Sequence, residues 1–367
     1  MAALPVAVDA MGGDQAPDAI VAGARQVAEQ TDIKVTLVGV PGAMGDTGDL
    51  PLIPASEVIG MEDDPAQGVR RKKDSSLVRA AEAVRDGKAM AMVSAGNTGA
   101  TMASALLRMG RLPNVVRPAI ATPIPNLERG WPTVLLDSGA NAECTAAMLV
   151  QFAQMGAAFV RKRYGVDRPR VALLSIGEEK SKGTPLEKEA HALLADMADM
   201  ADSADMADMA DMADDEKGDN KSTGASVPVG GEGFDFVGNV EGRDFFGDGA
   251  DVIVTDGFTG NVALKTMEGT LRFLVGALTE IFARPDVADA ATVIYPYLLP
   301  LAAEFEPDNT GGAMLLGVDG VCVISHGSSS SVAMVNAITV AHDLAVAGLV
   351  DAVAASVTPQ GGQSATE

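Results

Sequence analysis

One unit recurs along this chain and constrains its fold more than any composition value does: a short apolar run, a turn of Gly, Asp and Asn, then a helical pattern. Its fullest copy spans residues 248–269, DGADVIVTDGFTGNVALKTMEG. Val252, Ile253 and Val254 read as a buried parallel strand, and residues 255–261 form the turn at its carboxyl end. Ligands bind at such ends in open α/β sheets. Gly257 and Gly260 let backbone approach a guest, and the helix opening after Asn261 presents unpaired N–H groups and a positive dipole end. Phosphate suits that environment. The plainer reading is an ordinary strand-to-helix loop with Asn261 as its N-cap.

Further copies follow the same grammar. A strand at 5–10, carrying Asp9, passes through Gly12, Gly13 and Asp14 to a helix near Pro17, without the spaced glycines of the dinucleotide fingerprint. A second strand at 34–39 comes after that helix. The strand at 89–94 ends in Gly96, Asn97, Thr98 and Gly99 before a helix to about Met109; Asn97 serves equally well as a cap. Strands at 117–122 and 132–137 follow, and the second leads through Asp137, Gly139 and Asn141 into a long helix reaching Tyr164. After a strand at 170–176, Lys182 stands beside Gly183 at a helix start, well placed for phosphate, whereas Lys180 reads as solvent-exposed. Strands at 234–238 and 321–325 complete the set, the last ending in His326, Gly327 and Ser328 before a final helix to about Leu349. Similar turns suggest the walls of one cleft.

Other segments carry less specific signals. Leu264, Met267, Leu271, Leu274, Leu278 and Ile281 predict a buried helical stripe, with Lys265 and Glu268 three apart on another face, where they can pair with each other. Residues 295–303 are either a core element or an apolar tip directed at a membrane or a subunit. His191 and His342 sit in helical sequence without a partner motif. Arg70, Arg71, Lys72 and Lys73 form a basic cluster, a solvated face or a dock for something acidic.

The 367 residues predict one two-lobed α/β domain over 1–350, interrupted at 195–233 by an acidic low-complexity insertion, with a loose tail at 351–367. In the insertion Asp recurs every third residue and drifts around any helix, so a solvated, disordered segment is expected. A net charge of −23 and few aromatics argue against nucleic-acid binding. Cys144 and Cys322 are far apart and show no metal-ligand spacing. Without a leader pattern or a bilayer-length apolar run, the expected location is cytoplasmic, with membrane association left open.

The motifs VDAMGGD, VRRKKDSS, VSAGNTGA, RPAIA, DSGAN, KG, GNVEGRD, VTDGFTGNVALK, GGAMLLG and SHGSS, in that order, resemble the PlsX-type phosphate acyltransferases of bacterial phospholipid synthesis. The resemblance implies a three-layer α/β/α fold with a mostly parallel sheet, related to the isocitrate and isopropylmalate dehydrogenase architecture. It implies transfer of a long-chain acyl group from acyl carrier protein to inorganic phosphate, with neither cofactor nor metal. A homodimer, peripheral membrane contact and a downstream glycerol-3-phosphate acyltransferase come with it. Phosphate is the nucleophile in that reaction, so no Ser-His-Asp or Cys-His arrangement is required, and none is evident.

On that basis Lys182 and Lys265 neutralise developing charge, Asn97, Asn141 and Asn261 orient the reactants, Asp256 positions phosphate or takes its proton, and His326 donates to the carbonyl oxygen or leaving thiol. Asp9, Gly12, Gly13, Asp14, Thr98, Gly99, Asp137, Thr259, Gly260, Gly327 and Ser328 complete the expected phosphate and substrate contacts. The cluster from Arg70 to Lys73 becomes the dock for acidic acyl carrier protein. The chain departs from the pattern in its insertion, in Thr145-Ala146-Ala147 where relatives carry Lys and Pro, and in Asp286 and Asp289 of the tip at 282–303. A phosphotransacetylase acting on short acyl-CoA and a non-catalytic acyl- or phosphate-binding protein are the alternatives. A dehydrogenase fits less well, since no dinucleotide loop or metal-binding aspartate cluster is present.

Overall fold

The computed structural model describes residues 4–126, 128–198, 233–304 and 307–357, so most of the acidic insertion and the last ten residues lie outside the described residues. Strands β1 (Val6–Asp9), β2 (Val35–Gly39), β3 (Leu52–Pro54), β4 (Ala91–Ser94), β5 (Ala119–Ile124), β6 (Thr133–Leu136), β7 (Arg170–Leu174), β8 (Asp235–Val240), β9 (Val252–Val254), β10 (Ala313–Leu316) and β11 (Val321–Ile324) build one sheet. Their order is β3-β2-β1-β4-β11-β10-β5-β6-β9-β7-β8. Helices are α1 (Asp18–Gln30), α2 (Pro65–Arg71), α3 (Ser76–Arg85), α4 (Thr98–Arg108), α5 (Ala146–Tyr164), α6 (residues 185–198), α7 (Gly257–Phe282), α8 (Ala288–Glu304), α9 (Pro307–Thr310), α10 (Ser331–Val346) and α11 (Leu349–Ser356).

Three layers follow from the alternation of side chains along the strands. Val6 and Val8 of β1, Ala91 and Val93 of β4, and Val252 and Val254 of β9 pack with α1, α5, α10 and α11 in one apolar cluster. The intervening Ala7 and Met92 join α3 and α4 on the other face, and Ile253 joins Phe245, Leu264 and Met267 there. Both faces are covered, which is why central strands read as unbroken apolar runs.

Pairing is parallel except at β11–β10, β10–β5 and β5–β6. Three reversals leave β6, β9, β7 and β8 running opposite to β1, β4 and β11. The carboxyl ends of the two sets therefore start from opposite edges of the sheet.

Several expectations change. The last helix is two helices, with Gly348 in the left-handed region (φ 68) between them, and α11 carries regular structure to Ser356. The tail expected to be loose from residue 351 is thus helical at first. The α7 stripe is only partly buried: Leu274, Leu278 and Ile281 are 50%, 42% and 47% exposed. Residues 295–303 belong to α8, where Tyr295 and Tyr297 are 52% and 79% exposed. No single described helix is long and apolar enough to cross a membrane.

One buried ionic cluster ties β6, β7 and β9 together at their starts. Asp251 accepts hydrogen bonds from Arg129, Trp131 and Arg170 while being almost wholly buried. Burial alone would raise its carboxyl, but the Arg170 and Trp131 hydrogen bonds and the charge of Arg129 hold it below the usual carboxylate range. Asp251→Asn is expected to cost roughly 3–5 kcal/mol in denaturant unfolding at neutral pH by leaving Arg129 uncompensated. Because the folded value is lowered, that stability is present above about pH 4 and lost below it, so the two proteins converge in acid.

Candidate functional site

The strand ends gather the expected site residues into two groups. In the first, β1, β4 and β11 end side by side. Asp9 is buried and accepts from Ser94 Oγ at 2.8 Å and from the Met11 N–H at 3.2 Å. Burial pushes its carboxyl up, against hydrogen bonds from Ser76, Ser94 and Met11. Gly12 is pressed between this carboxylate and the next loop, for a Cβ there would fall 2.7 Å from Asp9 Oδ2 and 2.8 Å from the Gly96 nitrogen. The Asp14 N–H donates to the Gly327 carbonyl at 2.7 Å, and the Asp14 side chain remains exposed.

His326 is exposed, and the Ser328 N–H donates to its Nδ1 at 3.2 Å. Nδ1 is thus an acceptor, and the neutral ring carries its hydrogen on Nε2. Asn97 is the N-cap of α4, accepting from the Ala100 N–H at 3.0 Å and donating to the Met61 carbonyl at 2.7 Å. Thr98 is exposed at the first turn of that helix, while Gly99 packs against Pro65, 2.7 Å from a would-be Cβ.

The second group follows β6, β9 and β7, again adjacent in the sheet. Asp137 is wholly buried and accepts from the backbone N–H groups of Ile120, Gly139, Ala140 and Asn141 and from Asn141 Nδ2. Asn141 Nδ2 also donates to the Pro118 carbonyl at 2.8 Å. The next loop is clamped onto this one. The Gly257 N–H donates to the Asn141 carbonyl at 2.7 Å, and Asn261 Nδ2 donates to the Ser138 carbonyl at 3.2 Å.

α7 starts at Gly257 with Asp256 as its N-cap, not after Asn261: Asp256 accepts from the Thr259 N–H at 2.8 Å and from its hydroxyl at 2.7 Å. Lys265 pairs with Glu268 at 2.8 Å on the exposed surface. Lys182 is exposed in the turn after β7, and its ammonium has no hydrogen-bond or ion-pair partner among the described residues.

That turn has a support the sequence did not flag. His191 Nδ1 lies 3.0 Å from Asn239 Oδ1, and Asn239 Nδ2 donates to the Glu179 carbonyl, which also accepts from the Lys182 N–H. His191 therefore has a partner, across the gap between α6 and β8. The basic cluster divides: Arg70, Arg71 and Lys73 are exposed, whereas Lys72 is half-buried, 2.5 Å from Asp63 and donating to the Val58 carbonyl.

Among the described residues no hydrogen bond joins the two groups. The two groups stand on strands of opposite direction. No group of three His, Cys, Asp or Glu side chains among the described residues could hold a metal ion.

The α/β fold is shared with phosphotransacetylases. The EutD phosphotransacetylase from Staphylococcus aureus superposes with a TM-score of 0.56 at 16% identity, covering 93% of this chain and 94% of that one. A phosphotransacetylase from Streptococcus pyogenes gives the same score over 94% of each. The model of the fatty acid synthesis protein family matches residues 4–204 and 201–351. Relatives called phosphate acyltransferase are 41% identical in Desulforudis audaxviator, over 96% of both chains, and 42% identical in Myxococcus xanthus, over 93% of this chain and 90% of that one. The chain belongs to this family of fatty acid synthesis proteins, the phosphate acyltransferases.

The loop contacts make a prediction about two glycines of one helix. A Cβ on Gly260 would fall 1.9 Å from the Asp137 carbonyl oxygen, whereas one on Gly276 meets nothing within 4 Å. Gly260→Ala should destabilise by roughly 2–4 kcal/mol in thermal unfolding and lower activity at least ten-fold. Gly276→Ala should be neutral or stabilise by roughly 0.5–1 kcal/mol.

Proposed function

We propose that the protein transfers a long-chain fatty acyl group from acyl carrier protein to inorganic phosphate. The observation that carries this reading is 41% identity to a phosphate acyltransferase over 96% of the chain. In the reaction an oxygen of hydrogen phosphate attacks the thioester carbonyl. The C–O bond forms as the C–S bond breaks, and the phosphate proton passes to the departing thiolate. The products are an acyl phosphate and the carrier thiol.

The second group of loops supports this chemistry best. Lys182, with no partner among the described residues, is the cation for phosphate and for the carbonyl oxygen as charge builds on it. Asp256, the N-cap of α7, and Asn261, within that helix, follow the strand next to β7 in the sheet and position the reactants. Lys265 contributes charge by exchanging its Glu268 contact for substrate. Asn141 acts through Asp137, holding the loop rather than touching phosphate. His326, with hydrogen on Nε2, is the donor that the first group supplies. Cys144, half-buried beside the Asn141 carbonyl, has its thiol pushed up to about 11 by burial.

Arg70, Arg71 and Lys73 are the dock for the acidic carrier protein, without Lys72. Exposed Phe273, Val293, Ile294 and Tyr297 on α7 and α8 support a homodimer and peripheral membrane contact, for a cytoplasmic enzyme that hands its acyl phosphate to a glycerol-3-phosphate acyltransferase. The shared fold also favours a second reading, phosphotransacetylase activity on short acyl-CoA.

Acyl phosphate trapped with hydroxylamine decides between these readings. Formation from long-chain acyl carrier protein supports the first, and formation from acetyl-CoA alone selects the second. Lys182→Ala should lower turnover roughly 100-fold with unchanged unfolding, and near-normal turnover removes its role. Reversing Arg70 and Arg71 to Glu should raise KM for the carrier at low salt, an effect that fades as salt is added. Unchanged KM removes the dock.

A further inference from the structure

A groove of 660 Å³ runs between the sheet and α7. Leu264, Met267, Leu271 and Leu274 form its helical wall, with Ile124 and Phe246 opposite. We infer that this groove holds the hydrocarbon chain of the acyl donor and of the acyl phosphate product, with the reacting carbonyl at its Ser138 end. The inference rests on the acyltransferase reading and adds where the chain lies and how long a chain is accepted.

Continuity with the second loop group is the first support. Thr122 lines the groove, and its hydroxyl lies 2.6 Å from that of Ser138, in the loop that Asp137 organises. Asn261, one turn before Leu264 on the same helix, donates to the Ser138 carbonyl. The groove thus begins at the helix N-terminus proposed to hold phosphate.

Charge and length give the second and third. The carboxylates lining the groove are Glu128 and Glu268, the latter paired with Lys265 at 2.8 Å. Neither carboxylate offers an anion a partner inside the groove, which is left to an uncharged chain, while phosphate keeps to the α7 N-terminus. From Leu264 to Leu274 the helix rises about 15 Å, the length of roughly a dozen extended methylenes. A second copy of this chain is the other candidate occupant. Phe273, 73% exposed, lies on the far side of α7 from Leu264 and Leu271, so a subunit or membrane contact has a different face available.

The test is a chain-length profile of kcat/KM with carrier-protein donors from butyryl to palmitoyl, reading trapped acyl phosphate. For the wild type, kcat/KM should rise by up to roughly four-fold per methylene and level off near a dozen carbons. Leu271→Trp, which fills the groove, should lower palmitoyl kcat/KM at least ten-fold through KM and leave butyryl within two-fold. Leu271→Ala should move the preferred donor to longer chains. Equal losses with both donors, or an unmoved profile in both variants, overturn the assignment. So does a changed oligomeric state in sedimentation with all donors lost alike, which gives the groove to a second copy. If the wild type makes no acyl phosphate from any donor, the acyltransferase reading fails. Binding of a fluorescent fatty acid, lost in Leu271→Trp, then still supports the groove, and equal binding overturns it.

Discussion

The buried carboxylate of Asp137 is the constraint on which the second group of loops depends. No Lys or Arg pairs with it among the described residues, and it is wholly inaccessible, so its charge is borne by N–H groups alone. A buried carboxylate with one donor fewer leaves a lone pair unsatisfied in a low-dielectric interior. The donors come from both the start of β5 and the turn after β6, so satisfying one carboxylate fixes the register of an antiparallel pair and the shape of a loop together. Gly257 and Gly260 then bring α7 against that loop at distances no side chain permits. The N-terminus of α7 is positioned by Asp137, although Asp137 is not part of it.

The residue types that signalled an anion site turned out to be engaged largely in capping. Asn97, Thr145, Asp256 and Ser330 each accept an N–H in the first turn of a helix. An N-cap and a bound phosphate draw on the same small set of unpaired N–H groups. A sequence containing Asn or Asp there cannot say which of the two takes them, because the chemistry is common to both. What separates the loops is what remains over after capping. Among the described residues Lys182 has an ammonium with no partner and His326 a ring nitrogen with its hydrogen, whereas Lys72 and the Asn97 amide are already engaged.

The strands were legible because a strand covered on both faces must be apolar throughout: Val252, Ile253 and Val254 could hardly be read otherwise. Direction was not legible. Nothing in residues 119–124 announces that β5 runs antiparallel to both neighbours, and its pairing with β6 is what leaves β6, β9 and β7 opposite in direction to β4 and β11. Pairings distant in sequence were equally hidden. Asp63 holding Lys72, and Asn239 linking His191 to the Lys182 turn, join residues with no common motif. The exposed half of the α7 stripe was misread for a related reason: a 3.6-residue period reports that a helix has an apolar face, not what covers it.

α7 is where these constraints meet. Its first turn is capped by Asp256, Asn261 at the start of the second pins it to Ser138, its second to fifth turns wall the apolar groove, and its last turns expose Leu278 and Ile281. A helix offers N–H groups only at one end, so a ligand with an anionic head and an apolar tail has one favourable direction along it, head at the N-terminus and tail toward the C-terminus. A thioester laid in that direction exposes its carbonyl where the groove ends and the N–H groups begin. In the proposed placement the cap, the clamp and the groove wall belong to one helix, so the point of reaction would follow the rise of that helix from Asn261 to Leu264.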